Sequence, residues 1–524
     1  MRKSYNKYIG AALLGGLLLF TSCNDYLDKT PDNRMELKNP DEVSKLLVAA
    51  YPEFHPAYLL EMYSDNTDEN TRTGWTEYNK FQGQAYRWED ITETGDRETP
   101  RLLWSSHYEA VSTANIALDY IARQADQKSY SAQKGEALIC RAYAMFQLAN
   151  IFCRAYDKTT ADKDLGLPYP IHEDNEITKQ YERGTLAELY AQIDADIQAG
   201  LPLVQNDYSQ PKFHFTQNAA NAFAARFYLY YQQYDKAITY ASKVLGSNPN
   251  SVLRDWKSWG ELSINYDFQP NQYISTSENA NLLLEVTTSN WGGICGPYSI
   301  GNKYAHGRMI SVYETLQSNG PWGNCEDVFN YRVWSIDELS KYCLRKVPYT
   351  FEYTDIQAGI GYPHSEVAAF TTDQLLLERA EAYALSGEYN KAVADINSEL
   401  KAFSSNGVQV TLDDIKNYYN AVVYYKPEAP TVKKQFHTSF AIDSKVQEPL
   451  LQCILHLKRI ITIHDGIRLQ DVKRYGMTIY RRNITNTNVL TAVTDSMTAS
   501  DPRQAIQLPQ EQISVGLTPN PRNK

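Results

Sequence analysis

The sequence predicts a mainly α protein, a helical-repeat scaffold that carries a loop-rich, irregular second lobe. Three observations predict it. Two stretches share one pattern: Ala225, Tyr228, Tyr234 and Ala237 in the first match Ala380, Tyr383, Tyr389 and Ala392 in the second. A separate segment places Leu138, Ala142, Met145, Ala149 and Phe152 at spacings of three or four, the stripe of an amphipathic helix. Between about 250 and 365 this periodicity is lost, and Pro, Gly and Asn become frequent.

From the N-terminus, Arg2, Lys3 and Lys7 precede an apolar run from Ile9 to Phe20. That run is too short for a helix that must cross about 30 Å of hydrocarbon, so residues 1–22 are expected to be a secretion signal. Thr21 and Ser22 lead directly into Cys23, a bacterial lipobox arrangement in which the cysteine is diacylated and becomes the new N-terminus. Acyl chains at Cys23 would tether the protein to a membrane. The tethered chain would have 502 residues and a formal charge of -14, against -11 for the whole sequence.

Helices are expected at 41–50, 101–124 and 136–152, the last pairing with LAELYAQIDADIQAGLPLV across the Gly166–Gly184 connection. Thr185 and Glu188 form a capping-box pattern at the start of that partner helix. The duplicated pattern resembles the tetratricopeptide repeat, a helix pair in which small residues let the helices approach and tyrosines fill the gap between them. Pro249 falls where such a repeat ends its second helix. One repeat cannot bury its own apolar face, so the pairs must stack. The scaffold is therefore assigned to about 36–250 and 365–402, and the loop-rich lobe with the C-terminal motifs to about 251–364 and 403–524, within one body spanning 23–524.

The lobe between 250 and 365 holds five of the eight tryptophans: Trp256, Trp259, Trp291, Trp322 and Trp334. A second loop-like piece from Asp65 to Thr99 contains Trp75 and Trp88. Long ordered loops on a rigid scaffold are where binding residues concentrate. A sugar ring offers an apolar C–H face and a hydroxyl edge, so a glycan site needs a flat aromatic with amide and charged neighbours. Trp75 near Asn66, Asn70 and Arg72, and Trp291, Tyr298 and Trp322 near Asn290, Asn302 and Asn324, supply both. Trp88, in YRWED, reads as packing.

The 40 tyrosines, against 16 Phe and 8 Trp, favour wet interfaces. The negative charge and the lack of any basic block exclude a nucleic-acid binder. There is no HExxH, GxSxG or Walker motif, and GGICGPYSIG lacks phosphate-cradle spacing. Glu61, Asp65, Asp68 and Glu69 form an acidic cluster that reads as a solvated loop. A calcium site or a catalytic carboxylate pair is the alternative there, structural calcium being unsupported without EF-hand spacing, and no other cofactor is expected. Arg468, Asp471 and Arg474 share a helix face and are expected to tie that helix to its neighbours. Six cysteines remain after Cys23, with no CxxC. They are expected to be buried thiols, with one bridge among Cys295, Cys325 and Cys343 as the alternative.

Several motifs then carry a resemblance over essentially the whole tethered chain. CNDYLDKTP from Cys23, LGLPYPI, RGTLAELYAQIDADIQ, HDGIRLQDVKRYG from His464 and the closing DPRQAIQLPQEQISVGLTPNP occur in the order and spacing of the SusD/RagB family of nutrient-uptake lipoproteins. Val472 stands where that family usually has Leu, and Ile461, Thr462 and His464 replace acidic residues before Gly466, putting local ion pairs in question. The resemblance implies a SusD-like fold and a non-enzymatic, lipid-anchored protein at the outer membrane, facing the cell exterior. It would bind an oligosaccharide or other nutrient and pass it to a partner TonB-dependent, SusC-like transporter. The alternatives are a tetratricopeptide-type periplasmic adaptor for another protein and a lipid-anchored glycan hydrolase.

Overall fold

The computed structural model describes residues 37–72, 74–173, 181–265 and 267–522. Cys23, the leader and the opening CNDYLDKTP motif lie outside the described residues. The architecture is mainly α, and among the described residues the segments between and after the helices form a four-stranded sheet, a three-stranded sheet and two two-stranded ribbons.

The scaffold helices are Pro100–Ala122, Ser131–Phe152, Leu186–Gly200, Gln217–Tyr230, Tyr234–Leu245, Thr372–Leu385 and Tyr389–Phe403, each packed on the next in sequence except that Leu186–Gly200 and Gln217–Tyr230 meet only through long side chains such as Tyr190 and Phe227. Their starts follow from capping. Thr99 accepts the N–H of Leu102 with Pro100 in the first turn, and Thr185–Glu188 and Thr371–Gln374 close reciprocal capping boxes. The expected helix at 41–50 is Pro40–Leu47 followed by a 3-10 turn, Val48–Ala50.

Ser131–Phe152 and Leu186–Gly200 do pair. Gly200 allows it, since a Cβ there would sit 3.1 Å from the Gly135 carbonyl and from Ile139. Arg141 then bridges the two helices with both Nε and Nη2 at 2.7 Å from Asp196. In the repeat, Tyr228 is buried and stacks on Tyr240 with ring centroids 5.4 Å apart, while Tyr234, Tyr383 and Tyr389 pack half-buried on the core. Pro249 is not the stop expected of it. The helix already ends at Leu245, where Gly246 turns with φ +61°, and Pro249 opens a separate 3-10 turn.

The lobe is less irregular than its composition suggests. Asn281–Thr288 pairs antiparallel with Ile360–Thr371, which pairs with Thr350–Asp355. The stretch 403–524, expected to be loop-rich, holds Leu412–Ala421, the buried helix Gln447–Ile461, Arg468–Arg474 and the hairpin Ile479–Thr485 with Leu490–Met497. Asp68–Thr71 lies parallel to Ile479–Thr485 and antiparallel to Tyr304–Ala305, so an early segment, a middle loop and the C-terminal hairpin form one sheet.

The acidic cluster corrects the sequence reading. Glu61, Asp65 and Asp68 are buried, and Glu69 is half-buried. Arg468 meets Asp65 at 2.8 and 3.0 Å, and Arg482 meets Asp68 at 2.9 and 2.7 Å. Lys434 and Arg459 complete the network on Glu314, at 2.7 and 3.0 Å. Despite burial, these cations hold Asp65 well below the usual carboxylate range and Glu314 down to about 2. In the Gly466 motif, Asp471 bonds Lys458 at 2.8 Å and Arg474 at 3.3 Å, tying that helix to its neighbours. Gly466 itself has φ +75°, and a Cβ would fall 2.7 Å from the Cα of Ala57.

Candidate ligand-binding groove

Three segments converge at one surface: the sheet joins the Asn70 segment to the Asn302–Tyr304 segment, and hydrogen bonds from Lys341 bring in the third. The backbone N–H of Asn70 donates to the Lys303 carbonyl at 2.7 Å, and its side-chain amide donates to the Asn302 carbonyl at 3.0 Å. Asn302 reaches Ser299 at 3.3 Å, while its buried Oδ1 has no partner. From the third segment, Lys341 donates to the carbonyls of Tyr298 and Ile300 at 2.7 and 2.6 Å. Burial pushes the Lys341 ammonium down to about 8, with Cys295 and Cys343 opposing the shift.

Just beyond Asn70 the chain turns through Gly74 (φ +86°), and the N–H of Trp75 returns to the Arg72 carbonyl at 3.1 Å. The turn lays the Arg72 guanidinium over the Trp75 ring, 5.4 Å from its centroid, and Arg72 also donates to the Glu338 carbonyl. Trp75 stays half-exposed. Glu338 belongs to the wall of an open groove of about 340 Å³, whose other lining residues include Arg308, Gln317, Ser335 and Tyr342. Its polar lining, and a stacked indole tied to its wall through the Arg72–Glu338 hydrogen bond, are the combination a sugar needs: a flat face, and donors and acceptors for hydroxyls.

Tyr298 is half-buried beside Tyr349, with ring centroids 5.3 Å apart. The glycines of GGICGPYSIG explain this pair. A Cβ at Gly292 would lie 2.0 Å from the Pro348 carbonyl oxygen, and one at Gly293 would lie 3.1 Å from the Tyr349 ring. The run is a floor for an aromatic pair.

The remaining candidates are placed differently. Asn324 touches the groove only indirectly, holding the Gln317 carbonyl at 3.1 Å while capping Glu326. Trp291 is 4% exposed, stacks on Tyr58 at 5.3 Å and donates its indole N–H to the His464 carbonyl at 2.8 Å. Trp322 is likewise 4% exposed, donating to the Cys325 sulfur at 3.3 Å and lying 5.2 Å from the His456 ring. Both are core anchors, which corrects their expected role as platforms. Asn66 and Asn290 are also structural, bonded to Glu61 and Arg459 and to Asp96 respectively. Trp88 packs as expected, with Arg481 3.9 Å above its ring. The sequence reading missed Arg308, Gln317, Ser335, Glu338 and Tyr342. Only the aromatic density around Trp334 hinted at them.

All six cysteines after Cys23 are free, so the bridge among Cys295, Cys325 and Cys343 is not formed. Among the described residues no group of three or more His, Cys, Asp or Glu is arranged to hold a metal, and no helix is long and apolar enough to cross a membrane.

Residues 25–229 match the SusD-like family model described as starch-binding and associating with the outer membrane. A SusD-like protein, P38, of Formosa agariphila is 24% identical over 270 residues, 51% of this chain and 50% of that protein. The chain thus spans about half the length of that curated relative. The SusD-like match covers residues 25–229 of the chain. Its SusD-like fold extends further than the sequence matches. The structure of a SusD superfamily protein from Bacteroides vulgatus ATCC 8482 superposes with a TM-score of 0.65 at 16% identity, covering 93% of this chain and 100% of that one. A laminarin-binding SusD-like protein superposes with a TM-score of 0.54 at 16% identity, covering 93% and 100%.

Proposed function

We propose that this SusD-like chain is a non-enzymatic surface lipoprotein that captures an oligosaccharide and delivers it to a partner TonB-dependent outer-membrane transporter. The observation that carries the reading is the half-exposed Arg72–Trp75 stack, bonded through Arg72 to the Glu338 carbonyl in the wall of the polar groove. The SusD-like family match and the laminarin-binding structural relative support a glycan as the ligand. The lipobox cysteine, Cys23, supplies the tether, and the leader supplies export. Trp75, Arg72, Tyr298 and Asn70 form the proposed contact region, with Trp75 as platform and Asn70 positioning the loop that bears Tyr298. Capture for delivery requires binding that is readily reversed, which an open groove suits better than an enclosed cavity.

Affinity gel electrophoresis against a glycan panel that includes laminarin tests the ligand. Retardation by at least one glycan, reduced by Trp75→Ala, supports the reading; no retardation by any overturns it. Copurification of the acylated protein with an outer-membrane channel tests delivery, and a Cys23→Ser variant should be released from the membrane.

A further inference from the structure

A second cavity of about 380 Å³ lies at the end of the Ser131–Phe152 helix, within the size range of small-molecule sites. None of its lining residues lines the groove beside Trp75. It is built by close chain approach. Gly476, the last glycine of the Gly466 motif, has φ +59°, and a Cβ there would lie 2.2 Å from the His437 carbonyl oxygen. Arg154 draws in the C-terminal segment by donating to the Ala499 carbonyl at 2.8 Å.

The charged groups around this cavity are already engaged. Lys473 donates to the carbonyls of Asn150 and Cys153 at 2.9 and 2.7 Å, capping the helix end. Arg474 is paired with Glu381 and Asp471. Asp157 accepts the N–H and hydroxyl of Thr159 at 2.9 and 2.7 Å, and Asp164 accepts the hydroxyl of Thr160 at 2.6 Å. An anion would meet the negative pole of the helix C-terminus and two carboxylates, and a cation would meet Arg154 and Lys473. A neutral ligand meets neither penalty. The walls include the half-buried rings of Tyr156 and Phe440, with Ser439 and Gln504 among the polar groups.

We propose that this cavity is a second saccharide site, which takes one neutral sugar residue against the Tyr156 and Phe440 walls with Asp157 and Ser439 at its hydroxyls. The depression of the Lys473 ammonium to about 7 by burial fits a site not organised around an anionic ligand. The site stands independently of the groove.

Saturation-transfer NMR on the full chain carrying Trp75→Ala, with glucose, galactose, mannose and glucuronate each as the probe, tests it. At least one neutral hexose is expected to keep its signal in this background. Adding Ser439→Trp, which fills the cavity from an exposed position, or Asp157→Asn should cut that signal at least fivefold, with the melting temperature confirming that each variant is folded. Glucuronate should give less than a fifth of the hexose signal. The site is overturned if no neutral hexose gives a signal in the Trp75→Ala background, if folded Ser439→Trp and Asp157→Asn both leave it unchanged, or if glucuronate gives the stronger signal. Loss of groove binding by Trp75→Ala bears on the capture reading alone.

Discussion

Arg468 forms a two-point pair with Asp65, 403 positions earlier in the chain, through Nε at 2.8 Å and Nη2 at 3.0 Å. Both side chains are buried, so the pair is held by geometry and by the cations around it. Removing one partner leaves the other charge buried and uncompensated. Asp65→Ala is therefore expected to cost about 3–5 kcal/mol in chemical denaturation, and the double variant Asp65→Leu/Arg468→Met to cost less than either single change. A double variant as damaged as Asp65→Ala would contradict this.

The same network sets the acid limb of stability. Glu314 is held at about 2 and Asp65 well below its usual value, both depressed relative to the unfolded chain. Their contribution is complete above the ordinary carboxylate pKa of about 4 and is lost as pH falls toward 2. Thermal melts should decline steeply from pH 4.5 to 2.5, and Glu314→Gln should lower the plateau at neutral pH while flattening that decline.

Glu98 behaves in the opposite sense. Burial, reinforced by Asp96, pushes its carboxyl up to about 8, against hydrogen bonds from Ser289 and the Asn290 N–H. A raised folded pKa gives a contribution that is full below the unfolded value of about 4.3 and fades as pH rises through 8. Glu98→Gln keeps the shape of the protonated acid and removes the titration. Its melting temperature should fall less than that of the parent between pH 6 and 9. A parallel fall would show that Glu98 does not contribute to the alkaline loss.

Two tryptophans that look alike in sequence should separate cleanly. Trp291→Ala opens space beside Tyr58 and is expected to cost about 3–5 kcal/mol in stability. Trp75→Ala removes a half-exposed ring, so stability should change by less than about 1 kcal/mol. Glycan affinity should then fall about tenfold, equivalent to about 1.4 kcal/mol. Equal loss of stability in both variants would refute the distinction.

Gly292→Ala tests the floor beneath Tyr298 and Tyr349. The added methyl would collide with the Pro348 carbonyl, so the segment leading into Thr350 must move, with an expected cost of about 1–3 kcal/mol and a blue shift or intensity change in tyrosine fluorescence. An unperturbed variant would show that the approach is not enforced there.

What the sequence made legible was local. The 3-6-3 spacing of Ala and Tyr fixes which faces of two helices meet, and Thr185 with Glu188 marks a helix start within four residues. The acidic cluster misled because its cations, Lys434, Arg459, Arg468 and Arg482, come from more than 350 positions away, and nothing near Asp65 announces them. Trp291 and Trp322 misled for a related reason: an indole beside an asparagine reads the same on a surface as in a core until its N–H partner is known. The three-segment surface at Asn70, Arg72 and Trp75 was partly visible as loop composition. Its far wall, from Ser335 to Tyr342, is a short local hairpin, and what the sequence does not announce is its link to Arg72 through the Glu338 carbonyl, 266 positions along the chain.

The strand pairing of Asp68–Thr71 with Ile479–Thr485 has a consequence for how the chain folds. Closing a loop of some four hundred residues adds only a few kcal/mol of entropy, because the cost grows with the logarithm of length. The constraint is one of order in time. At about 5–20 residues per second, Asp65 and Asp68 would leave the ribosome at least about 20 seconds before Arg468 and Arg482. Until then the early carboxylates have no cations to enter the core with, so the segment around Asp65 and Asp68 stays open to water. Under the export proposed for this chain, that delay would leave this part of the interior unclosed until the last hundred residues have arrived.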